Sequence, residues 1–247
     1  MEAKYIKKLW KLKDYEKVKG DLFIRVLNIK RNRDILDGGI YVVQDDFALT
    51  VCQKLDEAED ERISVMVPAS FLTEWGKTRE EVLKTAYENT TKMLFVRLIG
   101  MDEVTEEPYS VGKELWEVEA SEKKDDHGYC LGLGSEGLGC AWVFIPGNIE
   151  KVCRAMGAEE VYIVPLSVNE AVFHDVRKIT DMENLWRSFW DTVASYIPAE
   201  EFLTVHIYRY SMKTGKLTTI MPDEGVIKSY QQGKDSKWRK EYLDMQE

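Results

Sequence analysis

Apolar and polar positions alternate along this chain in two rhythms, and the rhythms lay out most of its elements. Tyr41–Val43 and Phe47–Leu55 are runs rich in β-branched and aromatic residues and predict strands on either side of Asp45-Asp46. Asp56–Arg62 is a charged hairpin loop by composition, and Ile63–Val67 alternates like the strand that returns from it. Leu22–Ile29 fits a strand or a helix, and the pattern leaves it open. Tyr5–Lys19 places Ile6, Leu9 and Trp10 on one side of an amphipathic helix that Gly20 stops. Pro68 opens a short helix through Trp75, with Gly76 as its end. Thr78-Arg79-Glu80-Glu81 is a capping box, and the helix behind it carries Val82, Leu83, Ala86, Tyr87 and Thr90.

The most apolar and best punctuated stretch runs from Gly139 to Asp175. Cys140–Ile145 is a continuous apolar run of strand length and predicts a strand buried on both faces, closed by Pro146-Gly147. Asn148 is the expected N-cap of a helix whose stripe is Ile149, Cys153 and Met156, and Gly157 is its left-handed stop. Val161–Val164 and Glu170–His174 predict two further strands around a turn at Leu166–Asn169. Thr180-Asp181-Met182-Glu183 repeats the capping box, and Met182, Trp186, Phe189, Trp190, Val193 and Ile197 form one helical face that reads as core. Pro198 ends that helix. Phe202–Tyr210 alternates as a strand, Lys213–Lys216 is a turn, and Leu217–Met221 returns. This order of elements argues an α+β fold, a mostly antiparallel sheet with helices packed on one side. It divides into a basic N-terminal helix over residues 1–20, a body over 21–221 with the acidic stretch 103–126 as a possible division into two lobes, and a charged tail over 222–247.

Charge changes the picture at one end. The net charge is −10, yet residues 1–33 hold eleven Lys and Arg against four Asp and Glu, so that segment is +7 and the remainder −17. Lys7, Lys8, Lys11, Arg31 and Arg33 are therefore the candidate interaction surface, for another protein or for docking on the acidic body. Nucleic acid is a poor partner, because most of the molecule would repel phosphate. No apolar run approaches the ~20 residues of a membrane span, and the Lys-rich start lacks a following apolar segment, so the expected location is the cytoplasm. Cys52, Cys130, Cys140 and Cys153 are scattered without a CxxC pair and read as reduced core thiols.

Few patterns carry chemistry. Gly132-Leu133-Gly134-Ser135-Glu136-Gly137 matches the dinucleotide fingerprint, which requires a helix N-terminus to follow it. The expected strand after it argues instead for a hairpin joining Tyr129–Leu131 to Cys140–Ile145. His127, His174 and His206 are far apart with no HxH or HExxH. Asp45-Asp46 with Glu170 lacks a third acid at ligand spacing. No catalytic, cofactor-binding or metal-ligating residue is assigned on spacing, and no cofactor is expected.

Several phrases resemble a bacterial domain-of-unknown-function family, number 5688. They are Val67-Pro68-Ala69-Ser70-Phe71-Leu72-Thr73-Glu74-Trp75-Gly76, Ala86-Tyr87-Glu88-Asn89-Thr90, Met101-Asp102-Glu103-Val104, Ile145-Pro146-Gly147, Tyr162–Val168 with Glu170, and Tyr208-x-Tyr210. Together they span roughly residues 15–210. The resemblance implies an α+β fold and no known activity. Family members commonly carry a sizeable extra N-terminal region, which this sequence lacks, and often His where Asn169 stands. A compact version without that region implies a binding module, or a copy carried by a mobile element. The expected function is non-enzymatic protein binding or regulation. The alternatives are a hydrolase-type site assembled in space, and weak nucleic-acid binding through the basic N-terminus.

Overall fold

The computed structural model describes residues 11–58, 61–93, 96–101, 113–114, 128–132 and 138–227. The architecture is α+β, with antiparallel ladders that fall into two sheets. The smaller sheet is built on β3 (Phe47–Ala58). Strand β1 (Leu22–Asn28) pairs with one side of it, while β2 (Tyr41–Gln44) and β4 (Glu61–Met66) share the other. The larger sheet has the order β11-β10-β8-β9-β7-β5-β6. Its strands are β5 (Arg97–Gly100), β6 (Lys113–Glu114), β7 (Tyr129–Leu131), β8 (Glu160–Pro165), β9 (Ala171–Asp175), β10 (Ile207–Ser211) and β11 (Lys216–Ile220).

The period-2 alternation of the larger sheet sorts its side chains into two cores. Leu98, Leu131, Val161, Ile163, Ala171, Phe173 and Tyr208 face the smaller sheet and form one continuous core with Phe23, Phe47 and Val51. Ile99, Cys130, Val164, Val172 and Ile207 point the other way. The short turn α1 (Tyr15–Val18) and the helices α3 (Phe71–Trp75), α4 (Arg79–Met93), α5 (Gly139–Val143) and α6 (Asn148–Met156) contribute to the first core or its margin, and the short turn α2 (Arg33–Leu36) buries Leu36. The helix α7 (Met182–Tyr196) closes the second with Leu185, Trp186, Phe189, Trp190 and Val193, the stripe expected from the 3.6 period. Val226 and Ile227 pack beside it. Residues 228–247 of the tail lie outside the described residues.

Several local expectations hold for the physical reasons given. The Thr78 hydroxyl accepts from Glu81 N at 3.2 Å while the Glu81 carboxylate accepts from Thr78 N at 2.8 Å, the reciprocal capping box of α4. Gly76 and Gly157 end α3 and α6 at φ 60° and 62°. Leu22–Asn28, left open by its pattern, is strand, because β3 pairs with it along its whole length.

Others are corrected. Cys140–Ile145 is not a strand. Residues Gly139–Val143 are the helix α5, all five buried. A short continuous apolar run has no periodicity to separate a buried helix from a buried strand. The hairpin inferred across the glycines therefore does not exist, and β7 lies between β5 and β9. Asn148 is the first residue of α6 and not its cap. Gly147 caps at φ 88°, and the Asn148 amide donates 2.8 Å to the Trp142 carbonyl. Asp181, not Thr180, caps α7, its carboxylate accepting from Asn184 N at 2.9 Å. Asp56–Arg62 is mostly ladder, since β3 continues to Ala58 and β4 starts at Glu61.

The N-terminal segment is not one helix where it is described. A 3₁₀ turn at Lys11–Lys13 gives way at Asp14, whose carboxylate accepts from Glu16 N and starts α1 afresh. Leu12 and Val18 are buried in the first core, and Trp75 Nε1 donates 2.6 Å to the Leu12 carbonyl. Residues 5–10 lie outside the described residues, as does the acidic stretch 103–126 apart from Lys113–Glu114, which pair with β5. Phe202–Tyr210 is strand only from Ile207. The five residues before it are diverted from the ladder to bridge the two sheets, and that bridge forms the site.

Candidate functional site at the seam between the sheets

The loop joining β2 to β3 has two residues, Asp45 and Asp46, between the paired Gln44 and Phe47. Such a tight hairpin requires positive φ at one or both central residues. Asp45 supplies it at φ 57°, and among the described residues it is the one non-glycine residue to do so. Aspartate tolerates this conformation, so the turn is met while its side chain is free for a role beyond it.

That role lies across the seam. The Asp45 carboxylate is 2.6 Å from His206 Nδ1 and accepts from the Thr219 hydroxyl at 3.1 Å. Asp46 accepts from the Thr204 hydroxyl at 2.7 Å, and its backbone carbonyl accepts from Ile29 N at 2.9 Å. Tyr208 Oη stands 3.5 Å from both carboxylates. His206 N donates to Thr204 Oγ1 at 3.0 Å, which holds the diverted segment in shape. The side-chain partners of the loop thus come from the segment 204–208 leading into β10 and from β11, across the seam from the smaller sheet.

The seam continues on either side. Asn28 donates its side-chain amide to the Leu203 carbonyl at 2.8 Å. Arg31 donates 2.6 Å to the Ala199 carbonyl and lies 5.0 Å over the Phe202 ring. Beneath the carboxylates Phe47, Phe144 and Tyr208 form a ring cluster with centroids 4.7–6.0 Å apart. This apolar floor sets the electrostatics. Burial above all raises the Asp46 carboxyl from its ordinary value, against the Thr204 hydrogen bond and the nearby His206, which lower it. Burial, followed by the charge of Asp46, pushes the Tyr208 phenol well up.

Asp45, Asp46 and His206 each offer a ligand atom, and these atoms lie within 4.8 Å of one another. Among the described residues no other three His, Cys, Asp or Glu side chains converge so closely. Glu170, paired with the two aspartates on sequence grounds, is not in the cluster. Its carboxyl is raised by burial and by Glu201. His206 was not connected to Asp45 by spacing, since the two are separated by 161 positions. The available signal was the recurrence of Thr204, His206 and Tyr208 at every second position of an otherwise apolar run.

The remaining candidates fall elsewhere. Lys7 and Lys8 lie outside the described residues, Lys11 opens the first 3₁₀ turn, and Arg33 is exposed at the start of α2. Arg31, also proposed for a partner, is held on the chain itself by Ala199 and Phe202. The four cysteines are free and buried, and burial pushes the thiols of Cys52, Cys130 and Cys153 up to about 12. Gly132 and Gly139 serve close packing. A Cβ on either would stand 2.3 Å from the Asn169 carbonyl oxygen.

One edge leads into the seam. Strand β2 is terminal in its sheet and ends at Asp45. Val42 and Val43 are 39% and 56% exposed, and the four residues of the strand include no charge and no proline. The terminal strand of the larger sheet that meets the same loop, β11, begins with exposed Lys216 and exposes Thr218.

Fold and site together define an α+β protein of two antiparallel sheets, joined at a polar seam of two aspartates, a histidine and their hydroxyl partners. Residues 2–212 match the model of a family of unknown function (DUF5688), and the chain belongs to that family. No curated protein and no solved structure matches it. No helix among the described residues is long and apolar enough to cross a membrane.

Proposed function

We propose that this chain is a cytoplasmic, non-catalytic binding module that takes an extended segment of another protein as an added strand on the free edge of β2. The observation that carries the reading is that, among the described residues, β2 pairs with β3 alone and its other edge is unguarded. Natural sheets protect a terminal strand with lysine, proline, a bulge or a covering element, because its unpaired amides and carbonyls recruit other chains. β2 has two exposed valines, an unbroken register with β3 and none of those side chains. In a two-residue hairpin the pair flanking the loop and every second pair beyond it bond across. Tyr41 and Val43 therefore direct their backbone groups away from β3, where an incoming strand meets them. The four free, buried thiols suit a reducing compartment.

The test is a random-peptide display selection on the immobilised full-length protein, repeated on Val43→Pro. Proline removes the outward N–H of position 43 and is tolerated on an edge strand. Enriched peptides should alternate β-branched or aromatic residues with polar ones, and should lose binding to Val43→Pro while its unfolding free energy stays within about 0.5 kcal/mol of the parent. Failure to enrich, or peptides that bind Val43→Pro equally well, would refute strand addition.

A further inference from the structure

We propose that Asp45, Asp46 and His206 form a binding site for a first-row divalent transition cation of the zinc class, bridging the two sheets. The inference is independent of strand addition at β2. It rests on a mixed donor set drawn from both sheets. Two carboxylates come from the β2–β3 loop, and one imidazole nitrogen comes from the segment leading into β10.

The spacing fits such an ion. Bonds of ~2.0–2.2 Å in a tetrahedral shell place neighbouring donors about 3.4 Å apart. Here His206 Nδ1 is 2.6 Å from Asp45 and 3.8 Å from Asp46, and the whole set lies within 4.8 Å. Side-chain rotations that move these atoms by about 1 Å convert the hydrogen-bonded cluster into a shell of ligands at those bond lengths. In that conversion the imidazole–Asp45 hydrogen bond is exchanged for two metal bonds, and the proton between them moves to the other ring nitrogen or to solvent.

The surroundings supply what a metal site needs outside its ligands. Thr219 holds Asp45 and Thr204 holds Asp46, each through a hydroxyl that donates to the carboxylate and fixes its orientation. Thr204 also accepts from His206 N, so one side chain sets the position of two ligands. The aromatic floor of Phe47, Phe144 and Tyr208 closes the site from below. From above the site is reachable, with the His206, Asp46 and Asp45 side chains 14%, 28% and 33% exposed. An imidazole beside carboxylates favours zinc and cobalt over calcium and magnesium, which prefer all-oxygen shells. Three protein donors leave a position for water.

The experiment uses the full-length protein freed of metal with EDTA. Zn²⁺ is titrated by calorimetry, and Co²⁺ is titrated while the visible spectrum is followed. One equivalent of Zn²⁺ should bind with micromolar or tighter affinity, Co²⁺ should develop visible bands, and millimolar Mg²⁺ or Ca²⁺ should displace neither. His206→Gln and Asp45→Asn should each weaken Zn²⁺ at least about tenfold, and Thr219→Val, which frees Asp45 to turn, should weaken it about tenfold. Asp45→Asn keeps the test alive if His206→Gln does not fold, because asparagine tolerates positive φ at the loop. The proposal is overturned if no Zn²⁺ binds below about 100 μM. It is equally overturned if a cooperatively melting Asp45→Asn protein binds Zn²⁺ as the parent does.

Discussion

Trp190→Ala tests whether the face of α7 is interior or a surface for a partner. Trp190 is 3% exposed, and its ring centroid lies 5.4 Å from that of Trp186, itself 2% exposed. Both rings belong to the core formed with Ile99, Val164, Val172 and Ile207 on the outer face of the larger sheet. A buried indole removes roughly 200 Å² from water, worth about 5 kcal/mol at ~25 cal/mol per Å². Alanine keeps a fraction of that area but leaves a cavity, so the expected loss is about 3–5 kcal/mol. Against a total of ~5–15 kcal/mol this is a large share of the fold's stability. The assay is urea unfolding followed by far-ultraviolet circular dichroism, with the slope of the transition compared between variants. The midpoint should fall while the slope holds, and the thermal midpoint should drop by about 6–20 °C. Trp190→Phe keeps a ring in the layer and should cost less than half as much. A Trp190→Ala protein within about 0.5 kcal/mol of the parent would refute the core assignment, because that is how surface substitutions behave.

Further outcomes follow from other parts of the fold. Gly139→Ala should cost about 3 kcal/mol in a urea titration, because its methyl would stand 2.3 Å from both the Asn169 carbonyl oxygen and Gly132 Cα, whereas Gly225→Ala meets nothing within 4 Å and should be neutral. Although α5 follows the glycine run, Gly132 packs against the Asn169 carbonyl and Gly139 instead of facing a ligand, so calorimetric titration with NAD, ATP or GTP should show no heat, and micromolar binding lost in Gly132→Ala would overturn that reading. Thr78→Ala should lose about 1 kcal/mol by removing the hydroxyl from the α4 capping box, read from the urea midpoint. The hydrogen bond from Arg177 holds the Asp175 carboxyl below its ordinary value. That contribution is present above the unfolded pKa and is lost as pH falls through the folded one, so the stability gap between wild type and Arg177→Met should be full at pH 7 and close in acid. Removing residues 1–19 should lower the melting temperature, since Leu12 and Val18 leave the first core with them.

Wherever the chain's own pattern contains the cause of an element, that element was legible in sequence. The capping box at Thr78, the stripe from Trp186 to Val193 and the stops at Gly76 and Gly157 are local, involving residues at most a few turns apart. The α+β class and the two-residue turn at Asp45-Asp46 followed from the same local logic. Cys140–Ile145 shows where it ends. An apolar run with no polar residue has no period, and only tertiary packing, which buries all five residues of Gly139–Val143, decides that a helix sits there. The site is the stronger case. Asp45 meets His206 and Asp46 meets Thr204 only because the larger sheet turns its β10 end toward the smaller one. Hydrogen bonds between residues some 160 positions apart leave no spacing signal in a single chain. Residue type set what these groups can do, and the packing of one sheet on the other decided which of them do it together.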